Sequence, residues 1–352
     1  MAIPDGVQSI TTEWLTYALG TGTSGSDATV SSFRAQDVGG EHGWIGQVAR
    51  LQLSYSDSTE RALRSVIVKF SPPDPNRVFS NHEVRFYSEI APGHGFAVPK
   101  CYYGEVDSRT GASVLLLEDM SRLRTVGFVD GCTVEEAEAA VMSLAQVHST
   151  WWEDARLHTK DWMFTIADTE FSDWWRQYPE AVRTLLPELE VSSGLMEFGD
   201  RFAADVPGVL DRIEGSPFTA IHRDIHVDNL LFGSEPEDPP VVLIDWQTAG
   251  RGLGISDIAY LLISSLSPQD RRTSERRLVS GYHQRLIDND IDSYSFDQCW
   301  ADYKLSVASK LFITVTATVR LDNTTPHRRA WRAADLKRLM AFVEDHDPIR
   351  EI

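Results

Sequence analysis

Cysteine is scarce in this chain: Cys101, Cys132 and Cys299 are the only three among 352 residues. They are odd in number, far apart and form no CxxC pair. That excludes a disulfide framework and a structural zinc site, and it fits a reducing cytosol. Long apolar runs are missing as well. None approaches the roughly 20 residues that a membrane span needs. The N-terminus, Met1-Ala2-Ile3-Pro4-Asp5, has no basic stretch leading into an apolar one, so no signal peptide is expected. Positive charge is short: 33 Lys and Arg stand against 52 Asp and Glu, a formal net charge of −19. Such a surface repels nucleic acid and anionic membranes, whose affinity rests on Lys and Arg neutralising phosphate. It favours a cationic or neutral small molecule, and it serves solubility equally well. No internal repeat is present. These absences point to a cytoplasmic protein with neither nucleic-acid nor membrane partners.

What is there suits a packed protein: 42% hydrophobic and 24% charged residues. The length is large for one core, so two lobes are expected. The pattern predicts a helix over 12–19 and strands over 29–38, 47–55 and 65–70. It predicts a helix over 81–90, capped by Ser80 or Asn81, with Val84, Tyr87 and Ser88 on one face. Strands over 101–106 and 113–118 follow. Beyond them the pattern turns helical, over 134–151, 172–185, 195–213, 268–287, 297–320 and 330–344. One β-rich island, 219–245, interrupts the helices. The expectation is an α+β protein: a β-rich N-terminal lobe over 1–118, a hinge at 118–121, and a mainly helical C-terminal lobe over 122–352, around a cleft.

The island holds the chemistry. Ile221-His222-Arg223-Asp224-Ile225-His226-Val227-Asp228-Asn229 has the form H-R-D-x-x-x-x-N. Val241-Val242-Leu243-Ile244-Asp245-Trp246-Gln247 is a buried strand running into an Asp. Both motifs resemble the catalytic and metal-binding loops of the protein-kinase-like superfamily, and phosphoryl transfer, the reaction this resemblance implies, needs neutralised charge on the transferred group and a positioned hydroxyl. Asp224 would accept the hydroxyl's hydrogen bond and take its proton. Asn229 and Asp245 are hard oxygen donors that suit Mg²⁺. His222 and Arg223 would brace the loop. Lys69 ends the Val66-Ile67-Val68 run. A lysine in a buried strand needs an anionic partner. Glu83 can supply one, with Glu89 as an alternative one face away.

These motifs resemble the catalytic and metal loops of the protein-kinase-like superfamily, in its small-molecule branch of aminoglycoside phosphotransferases, choline kinases and ecdysteroid-kinase-like proteins. The resemblance runs in motif order over about residues 28–265. It implies a bilobal protein-kinase-like fold, ATP or GTP as donor, Mg²⁺ as cofactor, and a small-molecule hydroxyl as acceptor. It implies that Lys69 contacts the α- and β-phosphates and that Glu83 orients it. By the same resemblance, Gly39 and Gly40 in Val38-Gly39-Gly40-Glu41-His42-Gly43 would cover the phosphates or form a flexible hairpin. Glu118 and Met120, in Leu115-Leu116-Leu117-Glu118-Asp119-Met120, would form a hinge against the base. Asp257, in Ser256-Asp257-Ile258-Ala259-Tyr260, would support the catalytic loop or cap its own helix. His148 would be a packed, hydrogen-bonded histidine.

Other signals carry less. Gly250-Arg251-Gly252-Leu253-Gly254 departs from a dinucleotide fingerprint in the position of its third glycine and reads as a loop after Asp245. Asp288 to Asp292 lacks the glycine and closing glutamate of a calcium loop. Trp151-Trp152 and Trp174-Trp175 read as core, with an aromatic cage as the alternative. A protein kinase fits poorly, because Trp246-Gln247 stands in place of Phe-Gly and no A-P-E follows. A nucleotide-binding pseudoenzyme or interaction module is the competing reading, and the complete set of motif residues argues against it. The acceptor stays open among an amine, an amino sugar, a macrolide and a sterol-like alcohol.

Overall fold

The computed structural model describes residues 1–22, 28–38, 46–56, 63–71, 81–165, 176–180, 191–215, 217–320 and 325–348. The chain divides into two compact units. One is Met1–Leu123 with Ile244–Thr248; the other is Arg124–Leu243 with Ala249–Ile352.

The first unit is built on an antiparallel sheet of β1 (Val30–Asp37), β2 (Gln47–Tyr55), β3 (Ser65–Ser71), β4 (Cys101–Val106) and β5 (Ser113–Glu118), in the order β1-β2-β3-β5-β4. Side chains alternate across the sheet. Ala49, Leu51, Val66, Val68, Phe70, Val114 and Leu116 fall on one face and share a core with Trp14, Leu15, Ala18 and Leu19 of helix α1 (Thr12–Thr21). Those four helix positions repeat at three- and four-residue spacing, which gives α1 its apolar stripe. Thr11 caps the helix, its Oγ1 accepting from the Trp14 N–H at 3.1 Å. The opposite face carries Lys69, registered across from Val48 on β2 and Leu115 on β5. Directly paired residues of antiparallel strands point the same way.

The helix predicted over 81–90 is two pieces: α2 (His82–Arg85) and a π-helical turn, Phe86–Ile90. The wider turn rotates the residues after Arg85, so the buried face is Glu83, Val84, Phe86, Tyr87 and Ile90, while Ser88 is exposed. Asn81 stands at the cap position without a side-chain capping bond. Ser80 lies outside the described residues.

The second unit is mainly helical. Helix α3 (Val134–Thr150) starts at a capping box: the Glu136 N–H donates to Thr133 Oγ1 at 3.2 Å, and Glu136 Oε2 accepts from the Thr133 N–H at 2.8 Å. The single helix predicted over 195–213 is two, α4 (Ser193–Ala204) and α5 (Val206–Gly215). Pro207 has no N–H to continue the ladder, and Asp205 caps the second helix through the Gly208 N–H at 3.1 Å. Three short strands, β6 (Thr219–Ile221), β7 (Leu230–Phe232) and β8 (Val241–Leu243), make up the island. Residues 250–252, predicted as loop, form β9 (Gly250–Gly252) paired with β6.

Helices α6 (Gly254–Ser265), α7 (Pro268–Ile287), α8 (Phe296–Leu305), α9 (Val307–Arg320) and α10 (Pro326–His346) complete the unit. The helix predicted over 297–320 breaks at Ser306, whose hydroxyl donates back to the Asp302 carbonyl at 2.7 Å. Of the helix predicted over 172–185, residues 176–180 are helical and the rest, with Trp174 and Trp175, lies outside the described residues. Among the described residues no helix is long and apolar enough to cross a membrane.

Replacing Thr133 by Ala removes one half of the α3 capping box. It should lower the unfolding free energy by about 1 kcal/mol. Urea unfolding checks this, with the exposed Glu135→Ala as a control that should stay within about 0.5 kcal/mol of wild type.

Candidate active site

Two groups of the singled-out residues come together, one in each unit. In the first, the Lys69 ammonium lies 2.6 Å from Glu83 Oε2 and bonds directly to Asp245 Oδ1. Glu83 reaches Lys69 because α2 sits against the sheet with Glu83 on its buried side. The alternative partner, Glu89, instead holds Arg85 at 2.6 Å. Trp246 follows Asp245 and is fully buried, its ring stacked on Phe86 at 3.9 Å between centroids. The stack ties Asp245 to the segment that carries Glu83. Asp245 itself has φ +65°, in the left-handed region that an Asp tolerates better than most residues.

Two carboxylates share one ammonium in this cluster. Burial opposes the charge on Lys69, but Asp245 and then Glu83 outweigh it and hold the lysine above its ordinary value. Burial pushes the Glu83 carboxyl up; Lys69 pulls it down, Asp245 pushes it up again, and the net direction is upward. The lysine is therefore the fixed charge of the cluster.

The second group surrounds Asp257, near the start of α6. Its carboxylate is fully buried and accepts the main-chain N–H of His222 at 2.6 Å and of Arg223 at 2.8 Å. His148 Nε2 stands 3.3 Å from Asp257 Oδ2, and the other ring nitrogen meets the Tyr282 hydroxyl at 3.2 Å. Burial raises the Asp257 pKa, but His148 and the His222 N–H more than offset it, leaving the carboxyl below its ordinary value. Arg223 has φ +68°, an uncommon conformation for a long side chain. Its guanidinium donates to the Phe164 carbonyl and to the Arg251 carbonyl, the latter at 3.0 Å. A Cβ on Gly250 would overlap that guanidinium, so a larger residue there would have to displace it.

The loop that Asp257 grips carries Asp224 and Asn229. The Asn229 amide donates to the Asp224 carbonyl at 2.7 Å, closing the turn on itself. Asp224 Oδ1 accepts the Tyr260 hydroxyl at 2.9 Å. Sequence reasoning quoted Tyr260 without a role. The signal available was its spacing, three residues past Asp257 and so on the same side of α6. His226 and Asp228 were likewise passed over. Trp331 of α10 donates its indole N–H to Asp228 Oδ2 at 3.2 Å and stacks on Phe128 at 3.9 Å between centroids, and His226 meets both rings edge-on.

The remaining residues are separate from both groups. The Glu118 N–H donates to the Lys100 carbonyl at 2.8 Å, and the buried Met120 accepts the Leu123 N–H through its carbonyl at 2.9 Å. Between them Asp119 is held by Arg50 at 3.0 Å. Gly39 and Gly40 lie outside the described residues, as does the whole stretch 39–45.

The family described as the phosphotransferase enzyme family matches residues 42–295. The uncharacterized kinase-like protein D1044.1 of Caenorhabditis elegans is 26% identical over 216 residues, 59% of this chain and 56% of that protein. The chain thus spans little more than half the length of that relative. Three solved structures are similar over nearly their whole length. A Ralstonia eutropha JMP134 protein named as a candidate aminoglycoside phosphotransferase has a TM-score of 0.59 at 15% identity, covering 96% of this chain and 98% of its own. Aminoglycoside 2'-phosphotransferase-IIIa, solved with GDP, has 0.53 at 14%, covering 96% and 99%. A choline/ethanolamine kinase family protein of Mesorhizobium loti has 0.51 at 14%, covering 97% and 98%. The shared architecture is the bilobal α+β protein-kinase-like fold.

Asp257→Asn should cost about 1–3 kcal/mol, the size of a buried hydrogen bond to a charged group lost in part. Because the folded carboxyl titrates below its unfolded value, its stabilisation is complete above about pH 4 and is lost as pH falls through the folded value. The gap in urea midpoint between wild type and Asp257→Asn should therefore narrow from pH 5 to pH 3. A gap that widens on acidification would contradict the assignment of Asp257 as a buried, stabilised anion.

Proposed function

This chain belongs to the phosphotransferase enzyme family, and we propose that it transfers the γ-phosphoryl group of ATP or GTP to a hydroxyl of a small molecule, with Asp224 as general base. The observation that carries this reading is the Lys69 cluster. A lysine held above its ordinary value by Glu83 and Asp245 is a permanent cation on a sheet face lined by Val48 and Leu115. That pairs an apolar floor for a base with a fixed charge for phosphate oxygens. Lys69 would contact the α- and β-phosphates and Glu83 would orient it.

The residues fit Mg²⁺. Asp245 Oδ1 already meets a cation, the Lys69 ammonium, and its carboxylate is a hard oxygen donor of the kind Mg²⁺ takes. Asn229 spends its amide N–H on the Asp224 carbonyl, which leaves Oδ1 as a hard donor. Among the described residues no three His, Cys, Asp or Glu side chains group as a metal cage. Mg²⁺ on a nucleotide needs none, since one or two carboxylates plus the phosphates suffice. When bound, it would neutralise charge on the phosphoryl oxygens. Asp245 and Asn229 are the proposed ligands.

Asp224 would accept the acceptor hydroxyl's hydrogen bond and take its proton. His222, Arg223 and Asp257 would hold the loop that presents it. The Glu118 to Met120 stretch would meet the base, and Gly39 and Gly40 would cover the phosphates. The acceptor class is a hydroxylated amine or amino sugar ahead of a macrolide or sterol-like alcohol. The net charge of −19 favours a cation. So does the surround of Asp224, where Asp228 and the half-buried Trp331 offer a carboxylate and an indole ring. Against the competing reading, a pseudoenzyme that binds nucleotide without turnover, Lys69, Glu83, Asp224, Asn229 and Asp245 are all present.

Asp224→Ala should lower kcat about 10²–10⁴-fold with nucleotide binding intact, the usual size of a general-base contribution. ADP release measured across amines, amino sugars, macrolides and sterol-like alcohols reads this, and full turnover in the variant would remove Asp224 from the mechanism. Asp245→Ala should abolish Mg²⁺-dependent nucleotide binding in a thermal-shift titration; unchanged metal dependence would move the metal site elsewhere. Stabilisation by Mg·ATP with no turnover on any acceptor or on water would favour the pseudoenzyme.

A further inference from the structure

We propose that Tyr260 is a positioning residue for Asp224, fixing the carboxylate so that one oxygen is engaged and the other faces the acceptor. The inference rests on the assignment of Asp224 as the base and extends it to a residue with no assigned part in the reaction.

The Asp224 side chain is partly exposed, at 30%. An aspartate at such a position can rotate about both side-chain bonds unless something holds it. The bond that holds it is the Tyr260 hydroxyl, 2.9 Å from Oδ1. His226 Nε2 is the next nearest charged or chargeable nitrogen, at 3.7 Å from the same oxygen, beyond hydrogen-bond reach. With Oδ1 engaged, Oδ2 is the oxygen left to receive a proton.

The phenol is itself fixed. Tyr260 is buried at 5% exposure, on a helix whose residues are nearly all buried. The Lys310 ammonium sits 4.6 Å from the centre of its ring. Lys310 is held in turn by Asp335 at 2.8 Å and Thr314 at 2.8 Å, which join α9 to α10. Burial, reinforced by the Asp224 charge, pushes the phenol well above its ordinary value. It therefore stays protonated and donates at any working pH. A cation against the ring draws electron density toward itself and strengthens the O–H as a donor. The last two helices thus act on Asp224 through Tyr260.

A buried tyrosine needs some partner for its hydroxyl, so the bond alone could serve packing only. Two measurements separate the roles. The first is a double-mutant cycle on ADP release from Mg·ATP, with water as acceptor and with the most active compound of the panel. Tyr260→Phe keeps the ring and deletes the hydroxyl. It should lower kcat about 10-fold, the worth of one hydrogen bond to a charged group, with the nucleotide KM unchanged. In an Asp224→Ala background it should cost nothing further, because its effect runs through the carboxylate. An equal loss in both backgrounds, or none in either, overturns the inference while leaving Asp224 as base. Full turnover in Asp224→Ala alone overturns both. The second measurement needs no turnover: crystal structures of wild type and Tyr260→Phe. The variant should show the Asp224 carboxylate rotated or split between orientations. A carboxylate unmoved from its wild-type orientation overturns the inference.

Discussion

A carboxylate with no water around it must be paid for in hydrogen bonds, and Asp257 is where this chain does so. Its two oxygens take the main-chain N–H groups of His222 and Arg223, and His148 closes one side. Several features then follow from one buried charge. The backbone at 222–223 has no freedom to shift, so Arg223 is held in a left-handed conformation it would not choose. The Arg223 side chain is thereby sent toward Phe164 and Arg251, where a Cβ on Gly250 would displace it. Gly254 is constrained in the same way, since a Cβ there would press on the Tyr282 hydroxyl and His148. Helix α3, helix α6, helix α7 and the H-R-D loop are all fixed by reference to the same pair of oxygens.

The sequence was most legible where chemistry demands a residue type at a fixed spacing. H-R-D-x-x-x-x-N and the Ile-Asp-Trp strand end name their own atoms, and β2, β4 and β5 run over the stretches expected, 47–55, 101–106 and 113–118. It was least legible where backbone geometry departs from regular period. The π turn after Arg85 moves Phe86 and Ile90 inward and Ser88 outward, and no residue type announces it. The breaks at Asp205 and Ser306 depend on side chains bonding to nearby main-chain groups, which compete with the ladder without forbidding it. Strand β9 was hidden because three residues, two of them glycine, carry no β signal and pair only through their partner β6. Tyr260 was missed for a different reason: its importance lies in what its hydroxyl reaches, and spacing alone says only which way it faces.

The two groups differ in how they manage charge. Around Asp257 the carboxylate is matched by N–H donors and a histidine, and the result is a closed, satisfied network suited to holding shape. Around Lys69 one ammonium is shared by two carboxylates, Glu83 and Asp245. The shared ammonium holds the segment that carries Asp245 to the helix that carries Glu83.

The same cluster bears on how the protein can be handled at the bench. The chain has six lysines, and lysine amines are the usual anchor for labels, cross-linkers and immobilisation supports. Acylating reagents need the neutral amine, and they need room to approach it. Lys69 offers neither, being enclosed and kept charged by its carboxylates, and Lys310 is sealed between α9 and α10 with 1% of its side chain exposed. Conjugation would therefore fall on Lys100, Lys160, Lys304 and Lys337. A fluorophore or a surface attached through amines would leave the Lys69 cluster chemically untouched.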